Sequence, residues 1–500
     1  MAIGSISFEQ KPVNTTSKVP VITNWTPLIG YMVHQDDISG LFYFKLILEV
    51  RLDDASGTLL GKVKQRRNGF SVDVANNKAS AFFDLRDIVN SVLTDTVFDQ
   101  NQNGIPFETI HKLGGNTGVT AKIFSVNGDR NTDGTQIQTI FVKAYQQYSE
   151  TASAIPAEYP TPTVNDTLYY LQASLPLMTP RGTVTSPVGF IQGTDFNVFN
   201  GNGATDRFLS DLETSSGDYN ITGYINYIQW NDATNVGDYH TVALLNDNDK
   251  FDSDIEAIGI KYYDSSGLQI GTTKAIPNTT TNGGANPTSE TNTDAERLVY
   301  FGCGAGNLEA STVAPIAGSA GDAAPSNFSN WAYYTIQGFD LSGVAKTAPY
   351  YFIKQDGSCK GFKVRRLAWR NSVGGYDYYN FKKKSTQTVE IQRNNYSKML
   401  GTFNKSQYRY NNTQRGKTTR QTTAILKETL NTDWINEQDA NLLEKLIMST
   451  DVYIVENADT TYTEAVMITD SSFVRKTVAN DRKIQYTINI EYANPLNTNS

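Results

Sequence analysis

The stretch LFYFKLILEVRL (residues 41–52) indicates the fold class of this 500-residue chain. Its apolar and polar side chains alternate and then run apolar, a pattern typical of a β-strand with a buried face. Turn-forming residues follow at positions 53–57, and residues 58–65 begin a return strand. The sequence therefore predicts a β-hairpin in the first part of the chain.

Residues 258–271 repeat the organisation of this hairpin. They share with residues 48–61 a strand, the motif D-x-S-G-x-x-[LI]-G and a basic strand. Two copies suggest related hairpins in consecutive β-domains. The alternative is that Asp, Ser and Gly form good turns in any context, so the repeat favours a modular chain without proving duplication.

The composition extends the β prediction to the whole chain. Tyr (28) and Phe (23) far outnumber Met (6) and Trp (5), and 38 Gly residues supply turn positions. The chain is too long to form a single hydrophobic core. At roughly 100–200 residues per domain, its length predicts about three domains. The net charge of -8 argues against a general nucleic-acid-binding protein.

We predict a first β-domain over residues 1–155 with one amphipathic helix. Five apolar residues recur at helical spacing behind a candidate cap at Asp84: Leu85, Ile88, Val89, Val92 and Leu93. Strands at about 119–126 and 137–147 complete this domain. The three prolines between residues 156 and 162 then predict a stiff, extended connector and a boundary near residue 155.

The middle domain is predicted over residues 156–350 as a β-sandwich. Strand-like runs lie at 220–230, 239–245 and 256–263. Residues 272–296 and 308–328 are rich in Thr, Asn, Gly and Ala and hold almost no large apolar side chains. We expect long polar surface loops there.

The last domain is predicted over residues 351–500. Residues 364–369 and 376–381 flank a glycine-containing turn and predict a tight, aromatic hairpin. Strands at about 386–393 and 418–428 precede a helix that Asn436 can cap, with an apolar stripe of Leu442, Leu443, Leu446 and Ile447. Further strands at about 452–455, 464–468, 473–478 and 484–490 alternate in period two.

Residues 351–430 carry a strong positive charge. They hold 17 Lys and Arg against 4 Asp and Glu, a net charge of +13 that leaves -21 for the rest of the chain. Tyrosines lie among these cations, a mixture that also occurs where side chains stack on bases: Tyr376, Tyr378, Tyr379, Tyr396, Tyr408 and Tyr410. We interpret the stretch as a docking surface for acidic neighbours in an assembly, and DNA contact is the alternative.

The sequence carries no recognisable catalytic or cofactor motif. Residues 57–62 resemble a phosphate loop but are one residue short, and residues 302–307 lack the third glycine of the dinucleotide fingerprint and a following capped helix. The histidines, His34, His111 and His240, lie at no zinc-ligand spacing. We therefore predict a non-enzymatic protein with no catalytic, cofactor-binding or metal-binding residues.

Two segments rich in Asp and Asn match the first half of a calcium loop, at residues 99–104 and 129–134. Their twelfth positions are Ile110 and Ile140, so the bidentate carboxylate is missing. We interpret both segments as turns that need no metal. Calcium held with ligands from elsewhere in the chain is the open alternative.

Cellular context is constrained only weakly. No window approaches the 18 apolar residues that span a bilayer, and the amino terminus has neither a basic nor an apolar region, so we expect no membrane contact. We expect a protein that stays in the cytoplasm until other components carry it out. Cys303 and Cys359 form no C-x-x-C pair and are interpreted as two thiols, with a mutual disulfide as the alternative.

Three stretches, which fall within roughly the last 200 residues, carry a resemblance to a known class of proteins. They are VYFGCGAGNL (299–308), LAWRNSVGGYDYYNF (367–381), and LNTDW (430–434) continuing to Leu442-Leu443 and MSTDVYI (448–454). Together they resemble uncharacterised virion structural proteins of tailed phages, especially phages of Bacteroidota and of marine bacteria. The resemblance implies a virion part without naming which one. We expect a tail, baseplate or collar component that is made in the host cytoplasm and located in the virion with other virion proteins.

Such families build rings from β-sandwiches, often with one helix against a split barrel as in tail-tube-like domains. We therefore expect a mainly β chain of several β-sandwich or split-barrel domains, the first and last each with one packed helix, that forms a homo-oligomeric ring. One alternative is a host-surface glycan-binding adhesin or fibre protein, whose loops 272–328 and residues Tyr227 and Trp230 bind sugars. Another is a polysaccharide-cleaving spike, which needs paired carboxylates in a groove.

Overall fold

The computed structural model confirms a mainly β protein with several sheets and few helices. It describes residues 6–10, 21–23, 31–34, 38–52, 54–66, 79–81, 83–90, 123–125, 137–171, 203–245, 255, 257–277, 298–309, 323–340, 342–356, 362–403, 405–455, 463–475 and 484–499.

The described residues before position 172 form short and long strands and one short helix. The strands are β1 (Ile6–Gln10), β2 (Val21–Thr23), β3 (Tyr31–His34), β4 (Phe42–Leu52), β5 (Leu59–Arg66), β6 (Ser80–Ala81), β7 (Ile123–Ser125), β8 (Ile137–Ser149) and β9 (Ala157–Leu171). Helix α1 spans Arg86–Asn90.

The predicted first hairpin is confirmed as β4 and β5, which pair antiparallel inside a sheet of order β2-β9-β8-β4-β5. Leu46, Leu48 and Val50 of β4 are buried and pack with Leu85 and Val89 at α1. The predicted helix is therefore confirmed over its described residues. The rest of its apolar stripe, residues 92–93, lies outside the described residues.

The boundary predicted near residue 155 falls inside a sheet, because β8 and β9 pair antiparallel on both sides of it. The proline-containing segment is thus a strand, which corrects the prediction of a connector. The register shifts between Ala144, which lies opposite Val164, and Gln146, which lies opposite Tyr159. Residues 160–163 form the resulting bulge, where proline is tolerated because no ladder hydrogen bond is required of it.

The described residues between 203 and 356 form the middle sheets. Their strands are β10 (Thr214–Ser216), β11 (Thr222–Asn231), β12 (Val236–Gly237), β13 (Thr241–Leu245), β14 (Ala257–Tyr263), β15 (Gln269–Pro277), β16 (Leu298–Gly302), β17 (Tyr333–Phe339) and β18 (Tyr350–Asp356). Helix α2 spans Ala305–Glu309.

These strands form two sheets that do not respect the predicted domain limits. One sheet has the order β10-β11-β18-β17-β14-β15 with β12 on β11, and the other has the order β13-β16-β7. Strand β7 comes from the predicted first domain, and β18 crosses the boundary predicted at residue 350. The physical reason is strand pairing: an edge strand gains its ladder hydrogen bonds from whichever segment reaches it.

Side chains of the larger sheet alternate between two cores. Trp230 in β11, Tyr334 in β17 and Phe352 in β18 enter the main core on one face. Ile225 in β11 and Ile353 in β18 enter a smaller cluster on the other face. This period of two explains why the strands read as almost continuous apolar and aromatic runs.

The two hairpins that share the D-x-S-G motif are both present and close in the same way. The Ser56 N–H donates to Asp54 Oδ1 and the Ser266 N–H to Asp264 Oδ1, each at 2.8 Å. A third D-x-S-G segment, residues 340–343, closes with its glycine N–H on the aspartate carbonyl oxygen at 3.0 Å. Three copies at three turns indicate that local turn chemistry is sufficient to explain the repeat.

The predicted polar loops are only partly described, and their described ends belong to ordered elements. Residues 272–277 lie in β15, whereas residues 278–297 and 310–322 are outside the described residues. Ala323 and Phe328 are buried in the main core, and the Phe328 ring stacks on Tyr262 with 4.1 Å between centroids. The prediction of a surface loop was therefore wrong at these ends.

The described residues after position 362 form the last sheet. Its strands and the adjacent short strands are β19 (Arg365–Arg370), β20 (Tyr376–Phe381), β21 (Thr386–Ser397), β22 (Thr402–Phe403), β23 (Tyr408–Arg409), β24 (Lys417–Asn431), β25 (Val452–Val455), β26 (Thr463–Ile468), β27 (Thr487–Tyr492) and β28 (Asn497–Asn499). Helix α3 spans Glu437–Met448.

The last sheet has the order β20-β19-β25-β26-β27-β24-β21, with β28 on β24. The aromatic hairpin is confirmed as β19 and β20, and Asn436 caps α3 by accepting the Asp439 N–H at 2.7 Å. No strand forms over residues 473–475, the described part of the strand predicted at 473–478. Leu443 and Leu446 of α3 share the main core with Phe208, so the middle and last sheets bury one continuous core.

A buried arginine joins the middle and last sheets. Arg366 in β19 is 3% exposed, and its Nε–H donates to the Tyr239 carbonyl oxygen at 2.9 Å. Its Nη1 lies 3.3 Å from Asp238 Oδ2, and its Nη2 lies 2.9 Å from His240 Nδ1. Because every named partner is in the segment before β13, this guanidinium fixes the β19–β20 hairpin to the middle sheets.

The turn between β19 and β20 forms the second half of this joint. Asp377 accepts the Ser210 hydroxyl at 2.6 Å and the Asp211 N–H at 2.8 Å. Gly375 permits the close approach, since a Cβ there would lie 2.0 Å from the Leu209 carbonyl oxygen. Burial first, and then the nearby Asp211 carboxylate, raise the pKa of Asp377 to about 7.

We expect this joint to lose stability as the pH rises. The folded-state pKa of Asp377 lies above its ordinary value of 3.8, so the folded chain binds the proton more tightly than the unfolded chain. The free energy of unfolding should therefore fall between about pH 4 and pH 7 and then level off. In Asp377→Asn this fall should be smaller by roughly 2 kcal/mol, measured by urea unfolding between pH 5 and pH 8.

Glu213→Gln is the matched control, because Glu213 is exposed two residues beyond Asp211. It should keep the pH profile of the unsubstituted chain. Identical profiles for Asp377→Asn and the unsubstituted chain would contradict the assignment of a buried, proton-binding carboxyl at the joint.

Candidate functional site

The longest exposed feature of the described chain is a two-stranded ribbon, which we call the arm and define as residues 391–420. Strands β21 and β24 pair from Thr386 opposite Thr429 to Ser397 opposite Lys417. On its other side β24 pairs with β27 only at residues 427–431 and with β28 only at residues 422–424. Residues 394–421 therefore extend from the sheet as a ribbon, in which β21 and β24 pair with each other and with no other described strand.

Hydrogen bonds within the arm shape its end. The Lys398 N–H donates to the Gly416 carbonyl oxygen at 2.7 Å, and β22 pairs antiparallel with β23. The Gly401 N–H donates to Gln414 Oε1 at 2.8 Å, and Gly401 has φ +85°, which favours glycine. The arm is thus a shaped hairpin whose side chains are presented in a defined arrangement.

The arm exposes an unusual amount of apolar surface. Every residue of β21 is exposed, and β21 is the edge strand of its sheet. Seven large apolar side chains of the arm are each at least 37% exposed: Ile391, Tyr396, Met399, Leu400, Phe403, Tyr408 and Tyr410. Exposed apolar side chains in this number, together with an open strand edge, are typical of a surface that another protein covers.

The arm is also strongly cationic. It contains seven basic residues and no Asp or Glu: Arg393, Lys398, Lys405, Arg409, Arg415, Lys417 and Arg420. Within the part of the chain that the structure describes, none of these seven pairs with a carboxylate. At the base, by contrast, Lys427 pairs with Glu390 at 2.6 Å.

The basic stretch predicted from the sequence therefore divides into two parts. Arg365, Arg366 and Arg370 are buried and pair with Glu428, Asp238 and Asp451 respectively. The stretch's tyrosines divide in the same way. Tyr376 and Tyr378 are buried, Tyr379 lines a cavity described below, and Tyr396, Tyr408 and Tyr410 are exposed on the arm. The three buried arginines cannot meet a partner, whereas the arm presents seven of the stretch's 17 basic residues to solvent.

A second feature is a cavity of about 340 Å³, which we call the cleft. It lies where the middle sheet meets the last sheet and the amino end of α3. Asn226 and Tyr227 of β11, Gln355 of β18 and Tyr379 of β20 line it, together with residues of the segment 433–439. The cleft thus depends on the joint that brings these strands together.

The cleft contains a carboxyl group that is hard to ionise. Burial raises the pKa of Asp439 to about 6, although the Asn436 backbone N–H favours its charged form. Burial, and then the Asp439 carboxylate, raise the pKa of both Tyr227 and Tyr379, so their hydroxyls stay protonated at neutral pH. The Asp439 carboxyl and these two phenols therefore lie close enough to influence one another.

The rim of the cleft combines a charged pair with an exposed indole. Trp434 is 59% exposed, and its backbone N–H donates to Asp433 Oδ1 at 2.8 Å. Burial opposes ionisation of Asp433, but the Trp434 amide and Lys383, whose Nζ lies 3.1 Å from Oδ1, lower its pKa overall. Asp433 therefore stays charged and holds the Trp434 backbone in place.

Two amides that line the cleft have incomplete hydrogen bonding. Asn226 is 7% exposed and its Nδ2 has no hydrogen-bond partner. Gln355 is half-buried and its Oε1 has none either. Buried polar atoms without partners are costly. Because Asn226 pairs with Phe352 and Gln355 pairs with Gln229, the two amides lie on opposite faces of the sheet and do not form a single site.

The surface considered for sugar binding is not assembled as predicted. Trp230 is 3% exposed and packs in the main core near Trp331, so it cannot stack on an external sugar. Tyr227, three residues earlier, points to the other side of β11 and lines the cleft. The prediction that Trp230 stacks on an external sugar was therefore wrong, and Tyr227 lies at the cleft.

The other sequence motifs have structural roles or lie outside the described residues. Residues 302–307 overlap the five-residue helix α2, and Gly304 serves packing, because a Cβ there would lie 2.4 Å from the His240 nitrogen. Cys303 is a buried free thiol, and Cys359 is outside the described residues. Both candidate calcium segments, residues 99–104 and 129–134, also lie outside them.

Sequence reasoning assigned a docking role to the whole of residues 351–430 without separating the arm, and it missed the cleft. The signal for the arm was present, since residues 392–421 lose the alternation of apolar and polar residues that marks a half-buried strand. The cleft has no such signal, because Asn226, Gln355 and Asp439 are brought together only by tertiary packing. The described residues contain no cluster of His, Cys, Asp and Glu suited to a metal ion.

Comparisons with known proteins give no assignment: no protein-family model matches the chain, and no curated protein matches it. Among the described residues, no helix has the length and apolar character needed to cross a bilayer.

We expect the arm to contribute little to the stability of the chain that carries it. Replacing residues 394–421 by Asn-Gly would join Arg393 and Thr422, which lie opposite each other, through a short hairpin turn. Because the removed side chains are exposed, Tm should change by less than about 2 °C in differential scanning calorimetry. Leu443→Ala, a change in the core, should instead cost roughly 2–5 kcal/mol. A collapse of Tm in the arm-deleted chain would show that the arm packs on its own body.

Proposed function

We propose that this chain is a structural subunit of a bacteriophage particle, a tail, baseplate or collar component, that forms a ring by seating its arm on a neighbouring copy. The observation that carries the proposal is the arm itself, a shaped hairpin that exposes apolar and cationic side chains without a covering element. The proposed role requires no catalysed reaction.

The physical argument begins with the open edge of β21. An exposed strand edge with flanking apolar side chains tends to pair with another chain unless it is short, covered or interrupted. The edge of β21 is 12 residues long, and its residues are all exposed. A partner that adds a strand to this edge would satisfy its unpaired backbone groups, and one that covers the apolar side chains would remove them from water.

Charge favours an acidic partner, and the chain itself is one. The arm carries a charge of +7, whereas the whole chain carries -8, so the remainder carries -15. A contact between the arm of one copy and the body of the next joins two different surfaces. Repetition of such a contact generates a closed ring when the rotation closes, and electrostatic attraction would steer the two surfaces together.

The phage context rests on the three stretches that resemble virion proteins. Residues 367–381 form the β19–β20 hairpin of the joint, residues 299–308 pass beside it, and residues 430–434 lead from β24 into α3. These stretches therefore build the frame that holds the base of the arm. This position supports an assembly role, because the same residues would hold the arm in position for a neighbouring subunit.

The mass of the purified chain tests assembly, measured by size-exclusion chromatography with light scattering. We expect a defined multimer, a monomer for the chain with residues 394–421 replaced by Asn-Gly, and a weaker, salt-sensitive multimer for the triple variant Lys405→Gln, Arg409→Gln, Arg415→Gln. Arg66→Gln, which removes an exposed cation outside the arm, should leave the multimer unchanged.

Two outcomes would overturn the proposal. One is an unsubstituted chain that stays monomeric up to high micromolar concentration and is missing from peptide maps of purified particles. The other is retention of a double-stranded DNA fragment that the triple variant loses while its multimer is unchanged, which would assign the arm to DNA contact.

A further inference from the structure

We propose that the arm of a neighbouring copy binds the outer tyrosines of the middle sheet, with Arg409 of the arm over the ring of Tyr219 and beside Asp218. We call this surface the tyrosine face and define it by four residues: Tyr219, Tyr263, Tyr333 and Tyr351. This contact rests on the proposed assembly role, since it names the surface that receives the arm.

The four tyrosines meet on the side of the middle sheet that faces away from the main core. Tyr263 of β14 lies directly opposite Tyr333 of β17, and their rings stack with 4.9 Å between centroids. The centroids of the Tyr219 and Tyr351 rings lie 5.7 Å and 6.3 Å from that of Tyr333. Tyr333 is 6% exposed at the centre, whereas Tyr219 is 43% exposed. The outer ring of the stack is therefore open to a partner.

The backbone holds Tyr219 in a strained conformation. Tyr219 and Asn220 have φ of +62° and +56°, in the left-handed region that residues other than glycine rarely adopt. The Gly217 N–H closes this segment by donating to the Ile221 carbonyl oxygen at 2.9 Å. Strain of this kind clusters at ligand-binding and switch regions. Here it results in an exposed aromatic ring beside an exposed carboxylate, Asp218.

The charges around the tyrosine face favour a cation over an anion. Asp218 and Asp264 adjoin two of its tyrosines in the chain. The Ser266 hydroxyl, which donates to Asp264 Oδ1 at 2.6 Å, and then the Leu268 N–H lower the pKa of Asp264, so it stays charged at neutral pH. Lys261 lies on the same side of β14, two residues before Tyr263. These three charged groups sum to 1 - 2 = -1.

The arm supplies an oriented cation. Arg409 lies between Tyr408 and Tyr410, and its Nε and Nη2 donate to Gln407 Oε1 at 3.3 Å and 3.1 Å. The guanidinium plane is therefore held before a partner arrives, which lowers the entropic cost of binding. Guanidinium groups bind the faces of aromatic rings, and a carboxylate beside the ring adds attraction. Tyr219 and Asp218 offer that pair of groups.

Apolar surface on both sides adds to this contact. Leu268, in the turn that follows Tyr263 and β14, is 68% exposed, and Phe403 of the arm is 70% exposed. A contact between copies would remove such side chains from water. Tyrosine and arginine are also the residues enriched at the centres of protein interfaces. Because Tyr219 and the arm are both exposed in the single chain, both are available to a second copy.

A double-mutant cycle on the full chain tests the contact, with the dissociation constant of the multimer measured by light scattering over a dilution series. Tyr219→Asn removes the ring and keeps a residue that tolerates positive φ, whereas Arg409→Gln removes the cation. Each should weaken self-association about tenfold, and the double variant no more than either alone, because both remove the same contact. Trp434→Ala is the matched control, an indole 59% exposed outside the tyrosine face, and should associate like the unsubstituted chain.

Mixing two variants gives a second readout. The chain with residues 394–421 replaced by Asn-Gly keeps the tyrosine face without the arm, whereas Asp218→Asn combined with Tyr219→Asn keeps the arm without its receiving ring. Each should be monomeric alone at concentrations where the unsubstituted chain is a multimer. Their mixture should form a one-to-one dimer that does not grow further. Tm of each variant should stay within about 2 °C of the unsubstituted chain, because the altered side chains are exposed.

Additive losses in the cycle, or no dimer in the mixture, would overturn this contact, and the proposed assembly role would still stand if the chain without the arm is monomeric. A multimer that persists without the arm, or an unsubstituted chain that is monomeric, would overturn both. Binding of cellotriose that Tyr219→Asn abolishes while the multimer is unchanged would assign the tyrosine face to a glycan instead.

Discussion

The guanidinium of Arg366 is the interaction on which the rest of the architecture depends. It is 3% exposed, and its hydrogen-bond partners reach it from the segment that precedes β13 as well as from its own hairpin, where Asn380 Oδ1 lies 2.9 Å from Nη1. A buried cation that loses its partners is strongly destabilising, by roughly 3–5 kcal/mol. The middle and last sheets are therefore held in one relative position, and the main core, the cleft and the base of the arm all inherit that position.

The arm projects outward from this rigid frame, whereas the cleft lies between its elements. At the base of the arm Glu428 is 1% exposed and accepts hydrogen bonds from Arg365 at 2.9 Å and from Tyr492 at 2.8 Å. Burial opposes its ionisation, but these donors lower the pKa of Glu428 overall, so the base is a fixed anion at neutral pH. The arm carries its surface outward from that anchor, whereas the cleft encloses space between the elements that the joint brings together.

The fold class, the first hairpin, the β19–β20 hairpin and the cap at Asn436 could be predicted because each depends on residues close together in sequence. The domain limits could not. Pro160 and Pro162 suggested a connector, but both lie in the bulged part of strand β9. Strand β18 begins at residue 350 and extends beyond the predicted limit, because its residues 350–356 pair with β11 and β17, which both precede that limit. The charge of residues 351–430 was visible, but its division into buried arginines and an exposed arm depends on Asp238 and Asp451, which are distant in sequence.

The pairing of strand β7 with β16 limits the order in which the chain can fold during synthesis. Its residues 123–125 pair with β16, residues 298–302, and so wait for about 170 further residues to leave the ribosome, roughly ten to thirty seconds at ordinary rates of synthesis. Until then β7 cannot pair with β16, and afterwards this pairing joins residues 123–125 to the middle of the chain. If synthesis pauses between β7 and β16, the nascent chain exposes β7 without its partner strand. Chaperones and proteases would recognise the incomplete chain at that stage.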